Sequence, residues 1–386
     1  MKSLFIFAGE ASGDLHGGNL IRSIQKEEPH IHLYGVGGPR MRKETFTTFL
    51  PMEEFQVMGL SDVLFSLPRL WKLFHKIRSY ILQQNPDGVL LIDYPGFNLR
   101  LAKSLRKSGY QGQLIQYICP TVWAHGKERV DLLSNHYDLL LTIYPFEANY
   151  FPLTRLKVEY IGNPLLETIA THTYQENWLS KINIPRNSEI VALFPGSRLG
   201  EIKRHTPQQL QIATELKKRH PSLHFALSCG HDSLKDSLLE MIDKFPLHLG
   251  KDISLIPADE HYDLMKNSRL ALAKSGTVTL ELALHKVPTV VHYELSTLNY
   301  LFAKYLLKLN LSHYCIVNIL GRETIFPEFI GKNLSLNLIE GMLEKMLNTP
   351  GYCQEIKEKC SQIKESFGDR PSNQSAAKAI LEQIEC

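Results

Sequence analysis

The sequence predicts an α/β protein made of two doubly wound parallel sheets, and three observations carry that expectation. Short, continuously apolar runs alternate with amphipathic stretches along most of the chain, the pattern of parallel strands joined by helices. Most of those runs break into a loop of glycine, proline or charged residues before the next helix. The length of 386 residues exceeds one compact core at ~150 residues per domain, and the strand series restarts after an aperiodic stretch near residues 165–188.

Composition narrows the function classes. Hydrophobic residues make up 44% and charged residues 22%, an ordinary folded balance, and a net charge of +3 is too mild to imply nucleic acid. Cys119, Cys229, Cys315, Cys353, Cys360 and Cys386 are scattered without a CxxC pair, so free thiols in a reducing compartment are expected. The apolar run Leu4–Ala8 is shorter than a secretory core, and no stretch approaches the ~18 apolar residues of a membrane span. A cytosolic protein able to touch a membrane from that side is the expectation.

Leu4–Ala8 reads as a first strand, followed by the loop Gly9-Glu10-Ala11-Ser12-Gly13-Asp14 and a helix over Leu15–Glu27. His32–Val36 is a second strand closing in Gly37-Gly38-Pro39-Arg40, and the spacing of these glycines is not the GxGxxG of a nicotinamide site. Val63–Gln83 is helical. Its stripe of Leu67, Leu70, Trp71, Phe74, Ile77 and Ile81 is ringed by Arg69, Lys72, Lys76 and Arg78, which suits either a membrane interface or a core face. The strand Gly88–Ile92 runs into Asp93-Tyr94-Pro95-Gly96-Phe97-Asn98, and a carboxylate at the end of a buried parallel strand is where a base is held. Asn98 reads as the cap of the helix that continues to Lys107. Strands at Leu114–Ile118, Leu139–Ile143 and Val158–Ile161 complete this half, and the first domain is set at 1–170.

The second domain, set at 188–335, opens with the strand Glu189–Phe194 and the turn Pro195-Gly196-Ser197-Arg198, with a helix starting at Thr206-Pro207. Free amides in that turn suit an anion, and Arg198 adds a forked cation for a diphosphate; an ordinary solvent-facing turn is the alternative. Further strands follow at His224–Ser228, Ile253–Ile256, Leu270–Ala273 and Thr289–Tyr293. The fourth strand of this half opens into Ser275-Gly276-Thr277, whose small residues let a helix start face a phosphate, while Glu281 one turn in accepts ribose hydroxyls. There is no GxxxxGK[ST], HExxH, GxSxG or DxD, and the 16 histidines form no ligand-spaced cluster. Diphosphate charge would then be met by amides, hydroxyls and arginine, with no metal and no cofactor. Residues 336–386 read as a helical tail without motifs.

These motifs together resemble the lipid-A-disaccharide synthases, bacterial glycosyltransferases with two Rossmann-like domains facing across a cleft, the GT-B fold. The resemblance rests on GEASGD (Gly9–Asp14), GVGGPRM (Gly35–Met41), VMGLSDVL (Val57–Leu64), IDYPGFN (Ile92–Asn98), PTVWA (Pro120–Ala124), PFE (Pro145–Glu147), PGSR with EI (Pro195–Ile202) and SGTVTLE (Ser275–Glu281), spanning about three quarters of the chain in the family's order. It implies condensation of UDP-2,3-diacylglucosamine with 2,3-diacylglucosamine 1-phosphate, with inversion, on the cytosolic leaflet of the inner membrane. By resemblance Asp93 is the general base and Arg198 the nucleotide-side arginine. Glu10, Ser12 and Asn318 line the cleft, and Ser275, Gly276, Thr277 and Glu281 hold the donor nucleotide. His125, Cys119 and Gly96 depart from the family's usual Trp, Ser and Asp. The tail is expected to fold back on the amino-terminal domain or a partner subunit, so a homodimer is one arrangement open to it. A UDP-sugar 2-epimerase on the same architecture is the runner-up, and a non-enzymatic nucleotide-sugar or lipid-binding module the alternative from a different class.

Overall fold

The computed structural model describes residues 2–55, 60–125, 127–151, 155–182, 184, 188–295, 312–332 and 334–385, with the side chains of 60–67, 124, 125 and 127 outside the description. Residues 57–59 of the VMGLSDVL motif, the side chains of its residues 60–64 and the His125 side chain therefore lie outside the described residues. The chain divides into two compact units, Met1–Glu167 with Phe367–Cys386, and Thr168–Ser366.

The first unit is built on seven parallel strands: β1 (Ser3–Ala8), β2 (His32–Gly37), β3 (Thr47–Pro51), β4 (Gly88–Ile92), β5 (Gln113–Tyr117), β6 (Leu139–Thr142) and β7 (Lys157–Tyr160), in the order β3-β2-β1-β4-β5-β6-β7. The inner strands β1, β4, β5 and β6 are buried on both faces, which is why they read as largely apolar runs. Successive residues then serve opposite cores: Phe5, Phe7, Val89 and Leu91 pack on one side, Leu4, Ile6, Leu90 and Ile92 on the other. Gly35 shows why its motif needs glycine, since its φ is +145° and a Cβ would stand 2.1 Å from the Ile6 carbonyl oxygen.

The first helix begins at Ala11 rather than Leu15. Its buried Asp14 accepts hydrogen bonds from the backbone N–H groups of Gly38 (2.8 Å), Arg40 (2.9 Å) and Met41 (3.0 Å), so the GEASGD motif closes the GVGGPRM loop. The helix Leu60–Gln84 sends Leu73, Ile77 and Ile81 into the core but leaves Trp71 65% exposed. The helix Pro95–Lys107 corrects the expectation for Asn98. Pro95, which has no N–H to lose, takes the first position behind a Tyr94 cap, and Asn98 is buried inside the first turn. The last helix, Ser372–Glu385, supplies Ala376, Ala377, Ala379 and Ile380 to the same core as Leu20, Ile21 and Ile24 of the first.

The second unit carries six parallel strands: β8 (Glu189–Phe194), β9 (Leu223–Ser228), β10 (Ile253–Ile256), β11 (Ser268–Lys274), β12 (Thr289–Glu294) and β13 (Glu328–Gly331), ordered β10-β9-β8-β11-β12-β13. The helix after β8 runs Leu199–Arg219, seven residues earlier than the Thr206-Pro207 signal, with Pro207 inside it. Glu201 starts this helix by turning its carboxylate back onto the Arg198 N–H, and the proline's missing donor costs the helix one bond further in. The aperiodic stretch before β8 is anchored by Trp178, which is buried and donates from Nε1 to Glu260 Oε2 at 2.7 Å. Among the described residues, no helix is long and apolar enough to cross a membrane.

Candidate functional site

In each sheet the strand order reverses once, between β1 and β4 in the first and between β8 and β11 in the second. Loops leaving such neighbouring strands in opposite directions open a crevice at their carboxyl ends. The candidate residues other than Asn318 fall at these two points.

In the first unit Glu10 and Ser12 follow β1 and Asp93 follows β4, with Ala8 paired to Ile92. Asp93 and Tyr94 both hold left-handed φ, 46° and 50°, a conformation costing ~1–3 kcal/mol for a non-glycine residue. The surroundings over-determine it. Asp93 N–H donates to the Tyr117 carbonyl at 3.0 Å. Asn98 Nδ2 donates to the Ile92 carbonyl at 3.3 Å and also to that of Asp93. The half-buried Asp93 carboxylate accepts from Ser12 Oγ at 3.4 Å. His16, which the sequence reading missed, sits one helical turn beyond Ser12; burial lowers its pKa and the Asp93 charge partly offsets that. Asp93 and Glu10 share the wall of a cavity of about 650 Å³ with Trp71, Phe74, Phe97 and Arg100. The cavity places a carboxylate against aromatic surface, a setting for an amphiphilic ligand.

In the second unit a cavity of about 450 Å³ is lined by Arg198, Glu201, His261, Lys274, Gly276, Thr277 and Glu281, among others. The Arg198 side chain is exposed and has no ion-pair partner among the described residues. The loop amides are not free as expected: Glu201 Oε2 takes Ser197 N–H at 3.2 Å and Arg198 N–H at 3.4 Å, while Oε1 pairs with Lys274 Nζ at 2.9 Å. Gly196 permits this, with φ +117° and a position where a Cβ would lie 2.5 Å from Glu201 Oε2. Gly196→Ala is expected to cost ~1–3 kcal/mol through the forbidden φ and the clash; urea unfolding checks it, and an unchanged midpoint would contradict the loop geometry.

Glu281 accepts from the Tyr262 hydroxyl at 3.1 Å, and burial raises its pKa against that bond. His261 meets Ser228 Oγ at 3.0 Å, and burial brings its pKa down to about 4, so at neutral pH it is an uncharged polar wall. His261 and Lys274 were not singled out from sequence. They reach the cavity from the first turn of one helix and the end of β11, with only the Ser275-Gly276-Thr277 turn to point at the latter. Ser275 does not line the cavity; its N–H closes onto the His292 carbonyl at 3.1 Å. Asn318 stands apart from both cavities. It is buried, its Oδ1 accepting from Ile325 N–H (2.9 Å) and Phe326 N–H (2.8 Å), and its Nδ2 donating to the Phe326 carbonyl at 2.8 Å. That is a turn-bracing role.

Residues 4–384 match the family model described as lipid-A-disaccharide synthetase. The chain is 36% identical over 385 residues to a lipid-A-disaccharide synthase of Chlamydia trachomatis serovar D, covering 98% of this chain and 62% of that protein. It thus spans about three fifths of that relative's length. To the lipid-A-disaccharide synthase of Geobacter sulfurreducens it is 33% identical, covering 99% of this chain and 97% of that one. Among solved structures, the S. aureus MnaA–UDP complex superposes with a TM-score of 0.68 at 15% identity, covering 100% of this chain and 96% of the other. At that identity the likeness concerns the fold alone, two Rossmann-like sheets of the GT-B type. On the sequence matches, the chain belongs to the lipid-A-disaccharide synthetase family.

Proposed function

We propose that the protein condenses UDP-2,3-diacylglucosamine with 2,3-diacylglucosamine 1-phosphate, giving the β-1,6 disaccharide 1-phosphate and UDP with inversion. The observation that carries this reading is Asp93, a carboxylate on a strained turn at the edge of an aromatic cavity. In the reaction Asp93 takes the proton of the acceptor 6-hydroxyl as that oxygen bonds to the donor's anomeric carbon. The bond from that carbon to the diphosphate breaks on the opposite face, and its electron pair leaves with UDP. A positioned base contributes ~10²–10⁴-fold, and fixed charge on the leaving group is often worth more. Arg198 supplies that charge, while Ser12 orients the base. Gly276, Thr277 and Glu281 receive the nucleotide, a role supported by the UDP complex of the fold neighbour MnaA. On this reading 1–170 is the acceptor and lipid domain and 188–335 the UDP-sugar domain.

The deciding experiment supplies the purified protein with both lipid substrates and reads products by mass. A tetraacyl disaccharide phosphate with equimolar UDP is expected. Conversion of soluble UDP-N-acetylglucosamine without lipid would replace the reading with the epimerase.

Both proposed substrates carry acyl chains, and this suggests docking on the cytosolic leaflet through the helix Leu60–Gln84. Trp71 is exposed, Phe74 is partly buried beside the cavity, and Arg69 and Lys72 are exposed on the same helix. Replacing Trp71 and Phe74 by Ser is expected to weaken binding to anionic liposomes about tenfold or more through lost apolar burial. A folded double variant that sediments with liposomes like the parent would return this stripe to the core.

A further inference from the structure

We propose that Glu201 and Lys274 form a charge-neutral brace that sets the Gly196–Arg198 loop, making Lys274 a positioning residue of the nucleotide half-site; this rests on the assignment of that half-site to UDP. Three donors meet on one carboxylate: the N–H groups of Ser197 and Arg198 on Oε2, and the Lys274 ammonium on Oε1 at 2.9 Å. Glu201 stands in the first turn after β8 and Lys274 ends β11, so the pair ties together the two strands between which the sheet order reverses. Each side chain keeps 17% exposure, where salt and water screen a pair less than on open surface. The ammonium also lies 5.0 Å from the centroid of the Tyr293 ring, a second hold on its position.

The consequence lies in the sign of the charge. A loop that is to receive a diphosphate already holds a resident anion, because Glu201 occupies two of the amides a phosphate would otherwise meet. Burial pushes the Glu201 pKa up, but the Lys274 ammonium and the two amides outweigh it and keep it lowered, so the carboxylate is ionised at neutral pH. Left uncompensated, it would repel a diphosphate in the cavity that both residues line. Lys274 cancels that charge and leaves Arg198 as the cation in excess. Its effect on the nucleotide therefore passes through Glu201 rather than through contact with phosphate.

Two measurements test this. In the ligand-free protein, hydrogen exchange at the Ser197 and Arg198 amides is expected to quicken about tenfold or more in Lys274→Met and to return toward the parent rate in Lys274→Arg. Calorimetry is expected to show UDP affinity falling about 10- to 100-fold in Lys274→Met, with uridine affinity nearly unchanged. The double variant Lys274→Met/Glu201→Gln, which removes both charges, is expected to recover most of the UDP affinity. Lys274→Gln serves if the methionine variant does not fold. Unchanged exchange in the single variant overturns the brace, and unchanged UDP affinity overturns its link to the site. A double variant as weak as the single one replaces the brace with direct phosphate contact. A parent protein that binds no UDP overturns the nucleotide assignment, and with it the positioning role, while the exchange arm still reads the brace by itself.

Discussion

Arg198→Ala is expected to lower turnover by ~10²–10³-fold, the usual loss when one preorganised donor to developing charge is removed. UDP affinity should weaken as well, by the ~1.5–3 kcal/mol of a hydrogen bond to a charged group. The structure separates this effect from folding. The guanidinium is exposed, whereas the part of Arg198 that starts the helix is its backbone N–H, which alanine retains for Glu201. Melting should therefore stay within the ~0.5 kcal/mol typical of a surface substitution. Arg198→Lys keeps the charge but loses the planar fork, so a partial recovery is expected. Steady-state kinetics with donor varied, UDP calorimetry and thermal melting check this. A variant that binds UDP and turns over like the parent would move the charge clamp to another residue.

What could be read from the sequence follows burial. β4, GVLLI, is buried at every position, so its apolar run is continuous and its limits match the expectation. β3 and β13 were not anticipated. Both are edge strands, and TTFLP and EFIG are only partly covered, so neither carries a buried strand's continuous run. Proline misled twice for one reason, its ambiguity between starting a helix and interrupting one. Pro95 starts a helix that was expected to begin only at an Asn98 cap, and Pro207 lies inside a helix where a start was expected. Asp93 and Arg198 were visible because each stands where a strand opens into a loop, a position that local pattern exposes. Lys274 and His261 were not, because their meaning lies in partners far along the chain: Glu201 for one and Ser228 for the other. Asn318 shows the reverse case. Its place in the family pattern suggested a cleft residue, yet its side-chain oxygen accepts from two backbone N–H groups and its Nδ2 donates to a backbone carbonyl, all at 325–326.

The largest change is expected from Asp93→Asn, with turnover falling by ~10²–10⁴-fold while substrate binding changes little. The local geometry makes this substitution unusually clean. Asp93 holds φ 46°, and asparagine is among the few residues that accept left-handed backbone readily, so the turn before Pro95 should survive. Ser12 Oγ, 3.4 Å from Asp93 Oδ2, can donate to an amide oxygen as it does to a carboxylate. Asn98 and Tyr117 engage the residue 93 backbone, which does not change. What disappears is the ability to accept a proton. Alanine at the same position mixes two effects, losing the base and adding a left-handed penalty of ~1–2 kcal/mol, so it should melt lower than asparagine. If Asp93 only braced the turn, asparagine would be nearly silent in turnover and alanine would act through stability alone. Turnover and melting of both variants beside the parent distinguish the cases. An asparagine variant that melts normally and keeps more than about a tenth of parental turnover falls outside the range of general-base catalysis and would remove Asp93 from that role.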